Sequence, residues 1–276
     1  MKQMKWKHIL LGKWNWKRPF TSLTSIYVLL ALFAVFCADR FIFQPPSSSY
    51  TSSLSGYITI PANHEQTIAG FHLKGRSGFP TILYSHGNAE DIGEIMDVIK
   101  PLNERGIGII AYDYPGYGLS QGKPTEESTQ QAIESVWNYA IRSGIDPASI
   151  ILFGRSIGSG PSVWLASHQK AGALILLSPM KSVYSVPFHY SIFPKDRFPN
   201  FQRIQSIHLP LLVIHGEQDD TIPFSHGLGL YQVSPSKVKS FLPLPEASHN
   251  DLFDCYPEEI YDAISTFIQQ LPESKR

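Results

Sequence analysis

The chain has 276 residues, room for one large α/β domain or two small ones, and its 43% apolar share supports a sizeable core and excludes a disordered chain. Its 23 Lys/Arg and 23 Asp/Glu cancel overall, but residues 1–40 hold seven of the cations against Asp39 alone, so the remainder is acidic. An acidic main body excludes a nucleic-acid-binding domain, which requires a basic face.

Residues 1–19 form a basic N-terminus with Lys2, Lys5, Lys7, Lys13, Lys17 and Arg18. Residues 20–38 follow without a charge and contain IYVLLALFAVF. Nineteen residues fit a minimal bilayer span of roughly 17–25, whereas the apolar part of a cleaved signal peptide runs to only about 7–15. No convincing small-x-small cleavage site follows, and Phe36 directly before Cys37 spoils a lipoprotein motif. The segment is therefore read as a transmembrane signal anchor. The positive-inside bias puts the N-terminus in the cytoplasm and the main domain on the non-cytoplasmic side, the periplasm if the source is bacterial. Residues 39–56 read as a Pro/Ser-rich linker. The thirteen residues Gln44–Gly56, QPPSSSYTSSLSG, reach at most about 45 Å and would hold the following domain near the lipid. Cys37 and Cys255 lie too far apart in this organisation to pair.

From residue 57 to 272, short apolar runs alternate with amphipathic ones. GYITI and TIAGFHL read as an opening pair of strands, and TILYSHG as a strand ending in a turn. DIGEIMDVIKPLNERG reads as a helix that Pro101 must break or kink. IGIIAYDY is the next strand. TEESTQQAIESVWNYAIRSG is a helix with Thr125 as N-cap, Ser128 three residues later and Gly144 at its end. SIILFG, ALILLSP and LPLLVIHG are further strands, with helices over 161–169, 224–232 and 258–270. This alternation implies βαβ units, and so an α/β fold with a mostly parallel central sheet and helices on both faces. In such sheets the ligand site lies beyond the carboxyl ends of the strands. Attention therefore falls on His86–Asn88, Asp113, Ser156, Asp219 and His249.

GRSIG around Ser156 has the form G-x-S-x-G. With Gly and Ser each near 7% of residues, a chain this long contains that pattern by chance about one time in ten. Its place between a strand and a helix gives it meaning, because a sharp turn there exposes the hydroxyl as a nucleophile. Serine needs a neighbouring base, and His249 in EASHND lies in the loop before the last helix. A histidine on its own would be read as a surface loop residue. The base in turn needs a carboxylate, and VIHGEQDDTIPF offers Glu217, Asp219 and Asp220 after a strand. Asp219 is preferred, with Asp220 as the alternative acid. The chain order Ser156, Asp219, His249 is that of the α/β hydrolases. An oxyanion hole would take the backbone N–H of Ile157, after the nucleophile, and one from the loop HGNAED, that of Asn88 or its neighbour Ala89, with Asn88 preferred. His86 reads as structural.

Taken together, HGNAED, DYPGYGLSQGKPTE, GRSIGSG, HGEQDDTIPFSHG and SHND, with DRFIFQPP after the apolar span, resemble the membrane-anchored α/β-hydrolase-domain proteins often labelled serine-aminopeptidase-like. That family includes bacterial proteins of unknown substrate and eukaryotic depalmitoylating thioesterases. The resemblance covers residues 39–270 and implies an α/β-hydrolase fold with a Ser156–His249–Asp219 triad. Asp219 falls at the acid position of the pattern G-x-x-D-x-x-[VI]-P, and Asp113 at a structural turn. The depalmitoylating members carry an N-terminal cysteine cluster for lipid attachment; here an apolar span takes its place.

No metal or other cofactor is implied: no His/Cys/carboxylate cluster has ligand spacing, and neither G-x-G-x-x-G nor a phosphate-loop lysine motif occurs. Residues 178–210 carry Tyr184, Phe188, Tyr190, Phe193, Phe198 and Phe201, consistent with either a small cap over the site or core packing under a long loop. A cap of this kind would favour a lipid-like or small-molecule acyl substrate, an apolar ester or thioester, over a peptide. An aminopeptidase would need a pocket for an ammonium group, and a non-catalytic membrane-tethered module would not need the triad. The oligomeric state is not legible.

Overall fold

The continuous apolar runs form the middle of one twisted sheet. A computed structural model of the chain describes residues 16–62, 66–188 and 193–272. The strands are β1 (Tyr57–Pro61), β2 (Thr67–Leu73), β3 (Thr81–Ser85), β4 (Gly108–Tyr112), β5 (Ile150–Arg155), β6 (Ala173–Leu177), β7 (Leu211–Gly216) and β8 (Lys239–Leu244). They lie in the order β1-β2-β4-β3-β5-β6-β7-β8. β1 pairs antiparallel with β2, and β2 with β4, while every pairing from β4 to β8 is parallel. β4 and β6 are buried on both faces, which is why GIIAY and ALILL contain no polar alternation.

Side chains alternate across the sheet and build one apolar layer on each face. Leu83, Ile110 and Leu152 meet α4 (Glu126–Arg142), α5 (Ser159–Ala166) and α8 (Ser225–Val233). Ile82, Ile109 and Phe153 meet α3 (Met96–Glu104) and α10 (Pro257–Gln269). α4 starts with the expected cap: Thr125 Oγ1 accepts from Ser128 N at 3.0 Å, and Ser128 Oγ accepts from Thr125 N at 2.9 Å. α3 starts later than expected and is not broken at Pro101. It begins at Met96, because the Asp91 carboxylate takes the amides of Gly93 and Glu94 in a preceding turn. It also continues through Pro101. The carbonyl that Pro101 leaves without a helical donor, that of Asp97, receives the Tyr261 hydroxyl at 3.4 Å.

The apolar N-terminal segment forms α1 (Arg18–Phe36), the one helix among the described residues long and apolar enough to cross a membrane. The basic residues before Trp16 lie outside the described residues. Residues 39–56, read from composition as a linker, instead lie on the domain. They open with α2 (Asp39–Ile42), after which Phe43 is buried against Phe198. Ser49 N donates to Asp91 Oδ2 at 2.6 Å and the Tyr50 hydroxyl to Asp113 Oδ2 at 2.5 Å. Buried carboxylates need donors, and this segment supplies them. Cys37 and Cys255 are both exposed and unpaired.

The segment 178–210 divides between the two roles it was given. Phe198 and Phe201 pack into the core beside α7 (Asn200–Arg203), whereas Tyr184, Phe188 and Phe193 face an open cavity around α6 (Ser185–Phe188). Tyr190 lies outside the described residues.

Candidate active site

β5 ends in a turn so tight that Ser156 takes a φ of +53°, a left-handed conformation costly for any residue but glycine. The flanking glycines explain why the turn closes. A Cβ at Gly154 would stand 2.5 Å from the Gly158 carbonyl oxygen, and one at Gly158 would overlap the Ser85 carbonyl. Strand β5, the turn and α5 thus approach at backbone distance, and the serine side chain is pushed out over the end of the sheet.

Two other strand-end loops bring their residues to it. His249, after β8, places Nε2 2.9 Å from Ser156 Oγ. Its Nδ1 is 2.8 Å from Asp219 Oδ2, in the loop after β7. All three side chains are largely buried. Asp219 Oδ1 accepts the amides of Thr221 at 3.0 Å and Ile222 at 2.7 Å, which fixes the carboxylate in its turn. Asp220, the alternative acid, is exposed and accepts from Thr221 Oγ1 at 3.3 Å. The carboxylate that accepts from His249 is therefore that of Asp219. Burial works to raise the Asp219 pKa, but hydrogen bonds from His215 and His249 outweigh it and hold the carboxyl well below the usual range. His215, with Nε2 3.2 Å from Asp219 Oδ2 and 2.9 Å from the Ile222 carbonyl oxygen, was not singled out from sequence. Its signal was its place at the end of β7, four residues before the acid.

Ile157 and Asn88 line one cavity together with Ser156. The Asn88 side chain is committed to structure: Nδ2 donates to the Ile42 carbonyl at 2.7 Å, and Oδ1 accepts from Tyr117 Oη at 2.6 Å and Gln44 N at 3.0 Å. Ala89, next in the loop, has a φ of +57°. The loop is tied to the nucleophile's strand by a pair that sequence reasoning missed. Glu90 accepts the Gly87 N–H through Oε1 and the Arg155 guanidinium through Oε2, the latter at 2.6 Å. Arg155, adjacent to Ser156, thereby holds the neighbouring loop.

His86 lies fully buried under this loop. Its Nδ1 is 2.7 Å from the Gly87 carbonyl and its Nε2 3.3 Å from Asp113 Oδ1. Burial acts to lower its pKa, but Asp113, with Glu90 and the Gly87 carbonyl, raises it. Nδ1 is placed to donate to the Gly87 carbonyl, whereas Nε2 lies near the Asp113 carboxylate without a hydrogen bond to it.

Two depressions, each of about 710 Å³, meet at Ser156. One is apolar, lined by residues of α1, α2, α6 and the 178–210 segment, with Met180 and Ile222. The other is polar, with Gln44, Glu90, Glu94, Arg155 and Asn250 around Ser156 and His249. A carbonyl carbon held at Ser156 would have an apolar substituent on one side and a polar one on the other.

The family described as "Serine aminopeptidase, S33" matches residues 79–193. The chain is 41% identical over 201 residues to alpha/beta hydrolase domain-containing protein 17C of Xenopus tropicalis, covering 70% of this chain and 63% of that protein. Against the Homo sapiens 17C protein it is 40% identical over 200 residues, covering 70% and 60%. The match thus spans less than two thirds of these relatives. Among solved structures, the Pyrococcus furiosus esterase Pf2001 superposes with a TM-score of 0.67 at 17% identity, covering 83% of this chain and 98% of the esterase. Est1E of Butyrivibrio proteoclasticus, solved with ferulic acid, gives 0.64 at 18% identity, covering 78% and 98%.

Proposed function

The chain belongs to the α/β-hydrolase-domain family, and we propose that this member is a membrane-anchored serine hydrolase that cleaves an apolar ester or thioester through an acyl-enzyme. The observation that carries the reading is the hydrogen-bonded series Ser156 Oγ, His249 Nε2, His249 Nδ1 and Asp219 Oδ2, at 2.9 and 2.8 Å. Ser156 Oγ attacks the carbonyl carbon while its proton passes to His249 Nε2. The tetrahedral oxyanion takes the backbone N–H groups of Ile157 and Asn88, set in place before reaction and worth roughly 3–4 kcal/mol each. His249 then returns its proton to the departing oxygen or sulfur. Water, deprotonated by His249, attacks the acyl-serine and releases the acid and Ser156. Asp219 stays ionised throughout, since its pKa is held low, and it keeps the proton of the resting imidazole on Nδ1.

The substrate class follows from the apolar depression at Ser156. The structural neighbour Pf2001 is itself named an esterase, and the serine-aminopeptidase family description gives the second reading, amide cleavage at a peptide N-terminus. Glu90, which could have met a substrate ammonium, is occupied by Arg155 and the Gly87 amide, which favours the ester. α1 serves as the anchor, with residues 1–19 cytoplasmic and the domain on the opposite side.

The test is labelling of the detergent-solubilised full chain with a small fluorophosphonate, beside Ser156→Ala, followed by turnover of acyl esters, acyl thioesters and aminoacyl amides. The expected outcome is labelling that Ser156→Ala abolishes, with ester or thioester turnover reduced by roughly 10⁵–10⁶-fold in the variant. Ser156-independent labelling would sink the hydrolase reading, and turnover of amides alone would replace it with the peptidase.

A further inference from the structure

The apolar depression at Ser156 is not enclosed by the hydrolase domain alone. Leu30, Phe33 and Ala34 of α1, then Ala38, line it opposite Tyr184 and Phe188. Their spacing puts them on one face of the helix. At its C-terminal end that face is fitted to the domain: Ala34 and Ala38 are only 6% and 5% exposed, while Leu30 and Phe33 stay about half exposed at 48% and 47%. Nearer the N-terminus the same stripe is bare at Leu23, 70% exposed, and on the opposite face Leu32 is 49% exposed.

The helix end is also bonded in place. The Tyr184 hydroxyl donates to the Ala34 carbonyl at 2.6 Å, and Arg197 Nη2 to the Val35 carbonyl at 3.1 Å. These carbonyls belong to the last turn of α1, where helical partners run out. Arg197 Nε completes the attachment with Asp39 Oδ1 at 2.7 Å. Farther back, the Tyr27 ring stacks on Phe193 with centroids 6.1 Å apart. An anchor that served only as a tether would need none of these contacts.

We infer that α1 is a wall of the substrate site: the acyl chain reaches its place along α1 and lies between α1 and α6, with its carbonyl at Ser156, so that the anchor helix itself sets which chain is accepted. This rests on the hydrolase reading above and deepens it by naming the element that receives the acyl chain and its route. A chain that must leave a bilayer loses no apolar contact if it moves from lipid onto an apolar helix face and then into an apolar cavity. Leu23, seven residues before Leu30, lies on the same stripe of the helix that lines the cavity, so the route is continuous. The polar group that departs lies on the other side of Ser156, among Gln44, Glu94 and Asn250.

The experiment uses the full chain in lipid nanodiscs and compares kcat/KM for hexadecanoyl and acetyl thioesters of one thiol. In Ala34→Trp and Ala38→Trp, which fill the α1 side of the cavity, the hexadecanoyl-to-acetyl ratio should drop tenfold or more. Phe33→Ala removes part of the same wall without overfilling it and should lower the ratio severalfold. Leu32→Trp, on the helix face opposite Ala34, should leave it where it is in the unaltered chain. A ratio unchanged in all three wall variants, with Ser156 still labelled by the small fluorophosphonate, overturns the inference and leaves the hydrolase reading standing. Absence of Ser156-dependent labelling in the unaltered chain removes both.

Discussion

The proposed reaction centre has two sides built in different ways. On the side of the sheet, Ser156, Asp219 and His249 come from loops after β5, β7 and β8, and their positions are fixed atom by atom through hydrogen bonds of 2.7 to 3.0 Å. On the side of α1 and α6, the wall is aliphatic and aromatic, and only the helix end is held by polar contacts. Directional bonds fail when one atom is changed, whereas an apolar wall responds to volume and shape. The sheet side should therefore control the rate of the chemical step, and the α1 side which acyl chain is taken.

The sharpest way to break this division is Asp219→Asn. An amide NH₂ facing His249 Nδ1 forces the proton onto Nε2, and the imidazole can no longer accept from Ser156. kcat for a good ester should fall by about 10⁴-fold, with the chain-length preference intact. A variant that kept most of its kcat would show that Asp219 is not the acid and would direct attention to Asp220. A changed chain-length preference would show that the two sides are not independent.

A smaller effect is expected at Arg155, which borders the polar depression but is paired there with Glu90. It positions the loop of Asn88 through Glu90, which also receives the Gly87 amide. In Arg155→Gln that carboxylate loses its partner, and the Asn88 N–H should drift from the oxyanion. A displacement of the order of 1 Å costs up to about 10²-fold in rate, so kcat should drop by roughly 10- to 100-fold while KM changes by less than about threefold. Arg155→Lys, which keeps a cation for Glu90, should recover part of the loss. An increase in KM alone would instead make Arg155 a substrate contact in the polar depression, and a general loss of stability without the kcat-specific drop would make it structural.

These particulars also mark what the sequence could express. Ser156, Asp219 and His249 were legible because each stands in a local motif at the end of an apolar strand, and their chain order is itself a signal. The inner strands were legible because burial on both faces removes polar alternation. The Arg155–Glu90 pair was not, because it joins residues 65 apart through two loops whose approach depends on the whole sheet. Pro101 reads locally as a helix breaker, and only the packing of α10 places Tyr261 to satisfy the carbonyl it frees. Residues 39–56 have the composition of a tether, yet Asp91 and Asp113, far along the chain, bind Ser49 and Tyr50. Likewise, nothing in an apolar run announces that Tyr184, 150 residues on, will take the Ala34 carbonyl.

The smallest expected effect lies in the pH dependence of stability, and it too belongs to the sheet side. Asp219 has a pKa lowered in the folded chain, so its contribution is present above the unfolded value of about 3.9 and is lost as pH falls below it. His86 has a pKa raised in the folded chain by Asp113 against the opposing effect of burial. Its contribution is present below the unfolded value of about 6.5 and is lost as pH rises through the folded pKa. These groups together favour the window between about pH 4 and 6.5, and the thermal midpoint of the full chain should decline on both flanks. His86→Gln lowers the midpoint at every pH by disturbing a buried site, so the informative quantity is the slope. The variant should lose the part of the alkaline decline that His86 causes while retaining the acid one. Parallel midpoint curves for the variant and the unaltered chain between pH 6 and 9 would mean that His86 carries no proton in the fold, and that the Asp113 carboxylate is held by Tyr50 and the Ile92 amide without it.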